Sequence, residues 1–399
     1  MPELISIHEA RHRVLDAALA AGPLTAEEVE LEDALGRVLG EPVVSRVEVP
    51  PFDASAMDGY AIVAGPAADL EVAGEARAGH PFEGGLEPGS AIRISTGAPL
   101  PAGADAVVPV ERTAAGGKTR VRVPETAPGA NVRRAGEDVR IGQEALGAGT
   151  EIGPAEAGVI ASLGLAAVAC ARRPRVALVV TGDELTEPGA PLAPGRIYGS
   201  NGLALRAQAE RAGAEVVARE QAADSRDATR AALGRALEQA DVVCVSGGVS
   251  VGPHDHVKGA LGDLGAEQRF WGVALKPGKP TWFGVRERTL VFGLPGNPVS
   301  AMVTFQLFAL PALRALAGAD PEPVRGTALL AAPVKLSPGR EQAVRVRLRA
   351  GADGWRAEPT GPQQSHLLTS MLGAAALALG PRGEGELEAG ERVEIELLA

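Results

Sequence analysis

Three apolar runs of strand length, each ending in a glycine-rich polar loop, constrain this fold more than any other feature of the chain. Arg175-Val-Ala-Leu-Val-Val180 leads into Thr181-Gly-Asp-Glu-Leu185, and Asp241-Val-Val-Cys-Val245 into Ser246-Gly-Gly-Val-Ser-Val-Gly252. Thr289-Leu-Val-Phe292 leads into Gly293-Leu-Pro-Gly-Asn-Pro298. Alanine-rich stretches with apolar positions three and four apart, 201–212 and 226–240, lie between these runs, and a third helical pattern covers 299–316. Buried strands alternating with helices predict a mostly parallel sheet covered on both faces. Ligands of such sheets bind at the carboxyl ends of the strands, where all three loops fall.

The loops differ in chemistry. Ser246, Gly247, Gly248 and Ser250 offer backbone N–H groups with little side-chain obstruction, which favours a phosphate or another oxyanion. The loop has neither a Walker A lysine nor the dinucleotide fingerprint, and a ligand-free glycine turn is the plain alternative. Asp183 and Glu184 supply hard oxygen ligands of the kind magnesium takes beside substrate phosphates; as a plain alternative they are acids at a helix N-terminus. Asp255 stands between His254 and His256, but this spacing matches none of the usual zinc patterns. Lys276-Pro-Gly-Lys-Pro280 holds two cations in a stiff frame that loses little freedom on meeting an anion; a surface turn with ordinary lysines is the alternative.

Upstream, Pro50-Pro-Phe-Asp-Ala-Ser-Ala-Met-Asp-Gly-Tyr-Ala61 packs two carboxylates and a hydroxyl into a turn between a double proline and an apolar run. Asp58 before Gly59 is equally ordinary turn chemistry when taken alone. At 399 residues the chain exceeds the size at which single cores stop growing, about 250–300 residues. Four parts are expected: a discontinuous domain of 1–46 with 137–173, a β-rich domain of 47–136, the α/β domain of 174–318, and a C-terminal β-barrel of 322–399. A helical pattern covers Ser6 to Gly40, and Pro154 opens a second helix. Cys170 and Cys244 are the only cysteines, and Cys244 lies within a buried strand, so a structural role is expected. The formal net charge of −11 argues against non-specific nucleic-acid binding. No basic segment followed by an apolar one opens the chain, and no uninterrupted apolar run reaches spanning length, so a cytoplasmic location is expected.

Taken in order, the motifs are similar to those of the molybdopterin molybdenumtransferase family, which comprises bacterial MoeA proteins and the E domain of gephyrin-type proteins. The resemblance rests on Phe52-Asp-Ala-Ser-Ala-Met-Asp-Gly-Tyr-Ala61, Ile94-Ser-Thr-Gly-Ala-Pro99, Arg134-Ala-Gly-Glu-Asp138, Thr181-Gly-Asp-Glu-Leu185, Ser200-Asn201, the Ser246–Gly252 loop, Lys276-Pro-Gly-Lys-Pro280 and Gly293-Leu-Pro-Gly-Asn-Pro-Val-Ser300. These runs span nearly the whole chain. The resemblance implies magnesium-dependent cleavage of adenylylated molybdopterin, with insertion of molybdate into the dithiolene and release of AMP. It implies catalytic or metal-binding roles for Asp58, Asp138, Glu184, Asp224 and Asp255, with Glu184 and Asp255 as metal ligands. Substrate-binding roles follow for Thr96, Gly182, Ser246, Gly247, Gly248, Ser250, Pro295, Gly296 and Asn297.

A molybdate pocket is implied at Lys276, Lys279, Ser300, Arg345, Ser365 and Ser370. On its own terms Asp224 reads as a helix cap, and Arg345, in the alternating run Val344-Arg-Val-Arg-Leu348, reads as a solvent-facing arginine. Family resemblance further implies an elongated homodimer in which Asp58 acts across the interface, with the adenylyltransferase of the pathway and molybdoenzyme apoproteins as further partners. The chain departs from many relatives at Gly199, His366, Ala375 and the residues flanking Asp255. Two other functions compete: a molybdopterin adenylyltransferase, which shares the α/β domain, and a non-catalytic pterin-binding scaffold.

Overall fold

A computed structural model describes residues 4–250 and 255–398. Its centre is a six-stranded sheet in the order Glu215–Ala222, Arg175–Thr181, Val242–Ser246, Thr289–Leu294, Trp282–Arg286, Glu267–Trp271. The first four strands are parallel, and the last two add antiparallel at the edge. The three apolar runs of the sequence are therefore neighbouring strands that end on the same side. Residues such as Val176, Leu178, Cys244 and Phe292 pack on one face of the sheet, and Val179, Val243, Val245 and Val291 on the other. Both faces are covered, as a continuous β-branched run requires. Burial pushes the Cys244 thiol up to about 12, so it remains an inert core side chain.

The helix Pro298–Leu316 runs through the core and contains a wide turn, Phe305–Ala309, with i to i+5 hydrogen bonding. By length and composition it could cross a membrane, but 89% of its apolar window is buried inside the protein. Pro311 within this helix has no N–H for the Leu307 carbonyl four residues earlier. Arg11 fills the vacancy, donating from Nε to the Leu307 oxygen at 3.2 Å and from Nη2 to Glu396 Oε2 at 2.8 Å. Arg11 and Glu396 are both buried, so this pair ties the first helix, the core helix and the last barrel strand together.

The helix expected over Ser6–Gly40 is shorter, Ile7–Ala21. Ser6 accepts from the Glu9 N–H at its start, and Gly22-Pro23 stops it. Its apolar face, Ile7, Ala10, Val14 and Ala18, joins the α/β core, while Leu19 faces solvent. A separate cluster gathers Leu39 and Val43 with Val139, Ile152, Ile160 and Val168, residues from both sides of the β-rich segment. That segment is a six-stranded sheet running from Gly59–Ile62 and its neighbour Ala106–Pro109 through Ser90–Ile94 and Ala68–Ala76 to Arg120–Val123 and Ala114–Ala115.

At the C-terminus, five strands close into a barrel: Glu341–Gly351, Gly354–Pro359, Arg325–Leu330, Arg392–Leu397 and Ala376–Gly380, the last pairing back to the first. A short strand of the α/β domain, Leu275–Lys276, adds in parallel to Glu341 and Gln342. That seam fixes the barrel beside the loops of the central sheet.

Candidate functional site

The loops after the three parallel strands meet in one cleft of about 1010 Å³. Gly247 and Gly248 turn sharply at its floor with φ of 96° and 66°, in the region that side-chain-bearing residues avoid. Space forbids a side chain as well, since a Cβ on Gly247 would lie 2.6 Å from Thr181 Oγ1 and one on Gly248 2.8 Å from Val257 Cγ2. Asn201 fastens two loops together, its Nδ2 donating to Ser246 Oγ at 2.8 Å and to the Gly296 carbonyl at 2.7 Å. The Ser246 hydroxyl in turn donates to the Pro295 carbonyl at 3.2 Å. The Gly247 N–H is spent on the Leu294 carbonyl. Ser246 thus shapes the floor through internal bonds, and the oxyanion-binding capacity of the loop lies beyond Gly247.

Three carboxylate residues, Glu184, Asp224 and Asp255, line one part of the cleft. Asp224 is not the cap of its helix. Ser225 takes that place, accepting from the Ala228 N–H. Asp224 instead braces the neighbouring loop: the Asp183 N–H donates to Asp224 Oδ2, and the Asp224 N–H to Asp183 Oδ1, both at 3.1 Å. Gly182 lines the same wall, its carbonyl accepting from Gln221 Nε2 at 3.1 Å. Among the described residues no three His, Cys, Asp or Glu side chains form a preformed metal cluster. The His254-Asp255-His256 motif falls partly outside the described residues, as do Val251, Gly252 and Pro253.

The basic part of the cleft lies against the barrel. Lys276 and Lys279 are exposed into it from either side of Pro277-Gly278. Ser300, 4% exposed, lies in the first turn of the core helix, and Asn297 at the head of that helix donates from Nδ2 to Ser365 Oγ at 2.8 Å. The Val299 N–H donates to the Ser365 carbonyl, so Ser365 clasps the helix entrance to the barrel loop. Ser250, Pro295 and Gly296 complete the wall from the sheet side.

Arg345 corrects the periodicity reading. It is fully buried (0% exposed), and its guanidinium meets only a hydroxyl among the described residues, Ser370 Oγ at 2.9 Å from Nη2 and 3.3 Å from Nε. Desolvation without a carboxylate lowers its pKa to about 10. Its backbone N–H donates to Gln363 Oε1 at 2.9 Å, and Gln363 lines the cleft. Arg345 and Ser370 therefore sit one layer behind the wall rather than in it. A buried guanidinium whose one partner among the described residues is a neutral hydroxyl carries a desolvation cost that this contact offsets only in part.

Asp58, Thr96 and Asp138 do not line this cleft. They belong to the β-rich segment and its exit, where the Thr96 N–H donates to Asp58 Oδ1 at 2.7 Å. The Asp138 N–H donates to the Val49 carbonyl, which places it beside the double proline that opens the motif. Sequence reasoning passed over the residue that joins these pieces. Asp53 accepts from Arg134 Nη1 at 2.6 Å and from the Ala135 N–H at 2.9 Å, binding the Asp58 loop to the Arg134–Asp138 run. The Ala135 N–H, with Arg134 second among the favourable groups, holds the Asp53 carboxyl below the usual carboxylate range. Asn201, Gln363 and Arg340 are further cleft residues to which no role was assigned from sequence. Asn201 alone carried a signal, as part of the Ser200-Asn201 motif.

Comparison with known proteins covers nearly the whole chain. Residues 5–164 match the MoeA N-terminal region (domain I and II), 177–315 a probable molybdopterin binding domain, and 327–398 the MoeA C-terminal region (domain IV). A molybdopterin molybdenumtransferase of Haemophilus influenzae is 36% identical over 400 residues, covering 98% of each chain. Molybdopterin molybdenumtransferase 2 of Mycobacterium tuberculosis is 39% identical over 408 residues, again covering 98% of each. Among solved structures, the molybdopterin biosynthesis moeA protein of Pyrococcus horikoshii OT3 superposes with a TM-score of 0.84 at 29% identity, covering 99% of this chain and 100% of that one.

Proposed function

We infer the activity from the premise that this chain belongs to the molybdopterin molybdenumtransferase family. It is a transferase that inserts molybdenum into molybdopterin during molybdenum cofactor biosynthesis. The observation that carries this reading is the convergence of the Thr181, Ser246 and Gly293 loops with Lys276 and Lys279 on one cleft, acidic in one part and basic in another. We assign the finer reaction as cleavage of adenylylated molybdopterin with release of AMP, molybdate being the second substrate.

The site residues have distinct tasks in that reaction. Ser250, Gly296 and Asn297 hold the pterin phosphate region, on a floor that Gly182, Ser246, Gly247, Gly248 and Pro295 shape. Lys276, Lys279, Ser300 and Ser365 take the molybdate dianion, and Arg345 with Ser370 supplies the charge behind them, strengthened by exclusion of water. Glu184 and Asp255 fit magnesium, which takes one or two carboxylates and completes its shell with water and substrate phosphate. When bound, that ion would neutralise charge on the phosphoryl group. Asp224 keeps the Asp183-Glu184 segment in place.

Asp58, Thr96 and Asp138 stand outside the cleft of their own chain. We assign them to the cleft of a partner subunit in a homodimer, with a cytoplasmic location and the four-part domain division as part of the same reading. The pathway's adenylyltransferase and the molybdoenzyme apoproteins are the donors and recipients it implies.

The test is AMP release from adenylylated molybdopterin with magnesium, with and without molybdate. Molybdate-dependent release of AMP, with a product that reconstitutes a molybdenum apoenzyme, is expected. Intact substrate after incubation with folded protein would refute the assignment, and ATP consumption would indicate the adenylyltransferase reaction instead.

A further inference from the structure

We propose that Arg340 is a third anion-binding cation of this cleft, contributed by the C-terminal barrel, and that it grips a tetrahedral oxyanion of one substrate. The inference rests on the reaction assigned above and adds a residue to which neither motif nor periodicity gave a role.

Arg340 ends a short turn, Ser337-Pro-Gly-Arg340, in which Pro338 fixes its own φ and Gly339 adopts φ 69°. The Arg340 N–H closes the turn on the Ser337 carbonyl at 3.2 Å, and Ser337 is buried. The next residue anchors the turn from three directions. The Glu341 N–H donates to the Ala274 carbonyl at 2.7 Å, the Ile7 N–H donates to Glu341 Oε2 at 2.9 Å, and Arg382 lies 3.5 Å from the same oxygen. Gln342 then pairs with Lys276 across the seam between the two domains. The backbone of Arg340 is thus fixed to the strand that carries Lys276, while its half-buried side chain lines the cleft.

The charges around it point to an external partner. Arg325, Arg349 and Arg382 of the same barrel each meet a carboxylate within 4.0 Å, whereas Arg340, like Arg347 and Arg356, has no ion pair or side-chain hydrogen bond among the described residues; of these three only Arg340 lines the cleft. Glu341, its nearest acid in sequence, is already held by Ile7 and Arg382. The planar fork of a guanidinium binds two oxygens of a tetrahedral anion at once, which the point charges of Lys276 and Lys279 do not. Besides the pterin phosphate assigned to Ser250, Gly296 and Asn297, two substrate groups have that geometry: molybdate and the phosphate of the adenylyl group.

Calorimetric titration of the full-length protein with molybdate alone and with AMP alone separates them. Wild type, Arg340→Gln, Arg340→Lys and the control Arg349→Gln would be compared, with thermal melts of each. Arg340→Gln is expected to weaken one of the two ligands by about tenfold or more at unchanged melting temperature. Arg340→Lys should recover part of the loss, and Arg349→Gln should show none. The ligand that weakens identifies the anion. Wild-type affinity for both ligands in Arg340→Gln would overturn the proposal and leave the insertase reading standing. An equal loss in Arg349→Gln would reduce the effect to net charge and overturn it too. Wild-type protein that binds neither ligand would overturn both readings together.

Discussion

The cleft of the α/β domain and the Asp58 loop of the β-rich segment are both built around carboxylates, yet they are built differently. The cleft is assembled from afar: strands separated by up to about a hundred residues end side by side, and Asn201, Asp224 and Ser365 bolt their loops together. The Asp58 loop is held by local turns and by one acid, Asp53, which reaches Arg134 and Ala135. The first structure encloses a volume; the second presents an exposed acid. Asp58 is held by the Thr96 N–H outside the α/β cleft of its own chain, and in the proposed dimer it would be half of a site. The α/β cleft would then be the other half, from a second subunit.

The largest expected effects test whether the halves are equal partners. Glu184→Gln and Asp58→Asn should each lower turnover by about 10²–10³-fold, with melting temperatures close to wild type, in the AMP-release assay. Near-normal turnover in Asp58→Asn alone would demote the β-rich loop to scaffold.

A smaller effect is expected behind the cleft wall. Arg345→Met should weaken molybdate about ten- to a hundredfold while leaving the melting temperature equal to or above wild type. Among the described residues the buried guanidinium has only Ser370 to offset its desolvation, and an apolar side chain carries no such cost. A marked loss of stability in this variant would show that the guanidinium has a purely structural task.

The smallest effect concerns Asp53. Its carboxyl titrates below its ordinary value, so it stabilises the fold above the unfolded-state value near 3.8, and that contribution disappears as pH falls through its lower folded value. Its side chain is partly exposed, so only local loosening is expected. Amide exchange at Val132 and Arg133 should rise a few-fold in Asp53→Asn at neutral pH, and in wild type only under acid conditions. Unchanged exchange would mean that the double proline alone holds the loop.

Much of this was legible in the sequence, for reasons that also explain what was not. The parallel strands could be read because continuous β-branched runs have few other uses, and the loops after them because glycine, proline and acid recur where ligands bind. The pattern over Ser6–Gly40 overextends the first helix because apolar residues such as Ala34 and Val38 continue at helix-like spacing past Gly22-Pro23, where the helix breaks. Arg345 was misjudged on periodicity because alternation assumes that one strand face is wet. Closure of the barrel buries that residue, and closure depends on Ala376–Gly380 pairing back to Glu341–Gly351. Asp53 and Arg340 were missed because each acts through residues distant in sequence, Arg134 for one and the Lys276 seam for the other. Single-chain patterns carry no such pairing.

The account stands most directly on a mixed-subunit experiment. Asp58→Ala and Glu184→Ala proteins, each inactive alone, would be co-refolded or co-expressed and assayed for AMP release. In a two-fold dimer each mixed pair retains one intact cleft, so random assortment should restore about a quarter of wild-type turnover. No recovery, with mixed dimers verified by differential tags, would contradict the shared cleft and confine the action of Asp58 to its own chain.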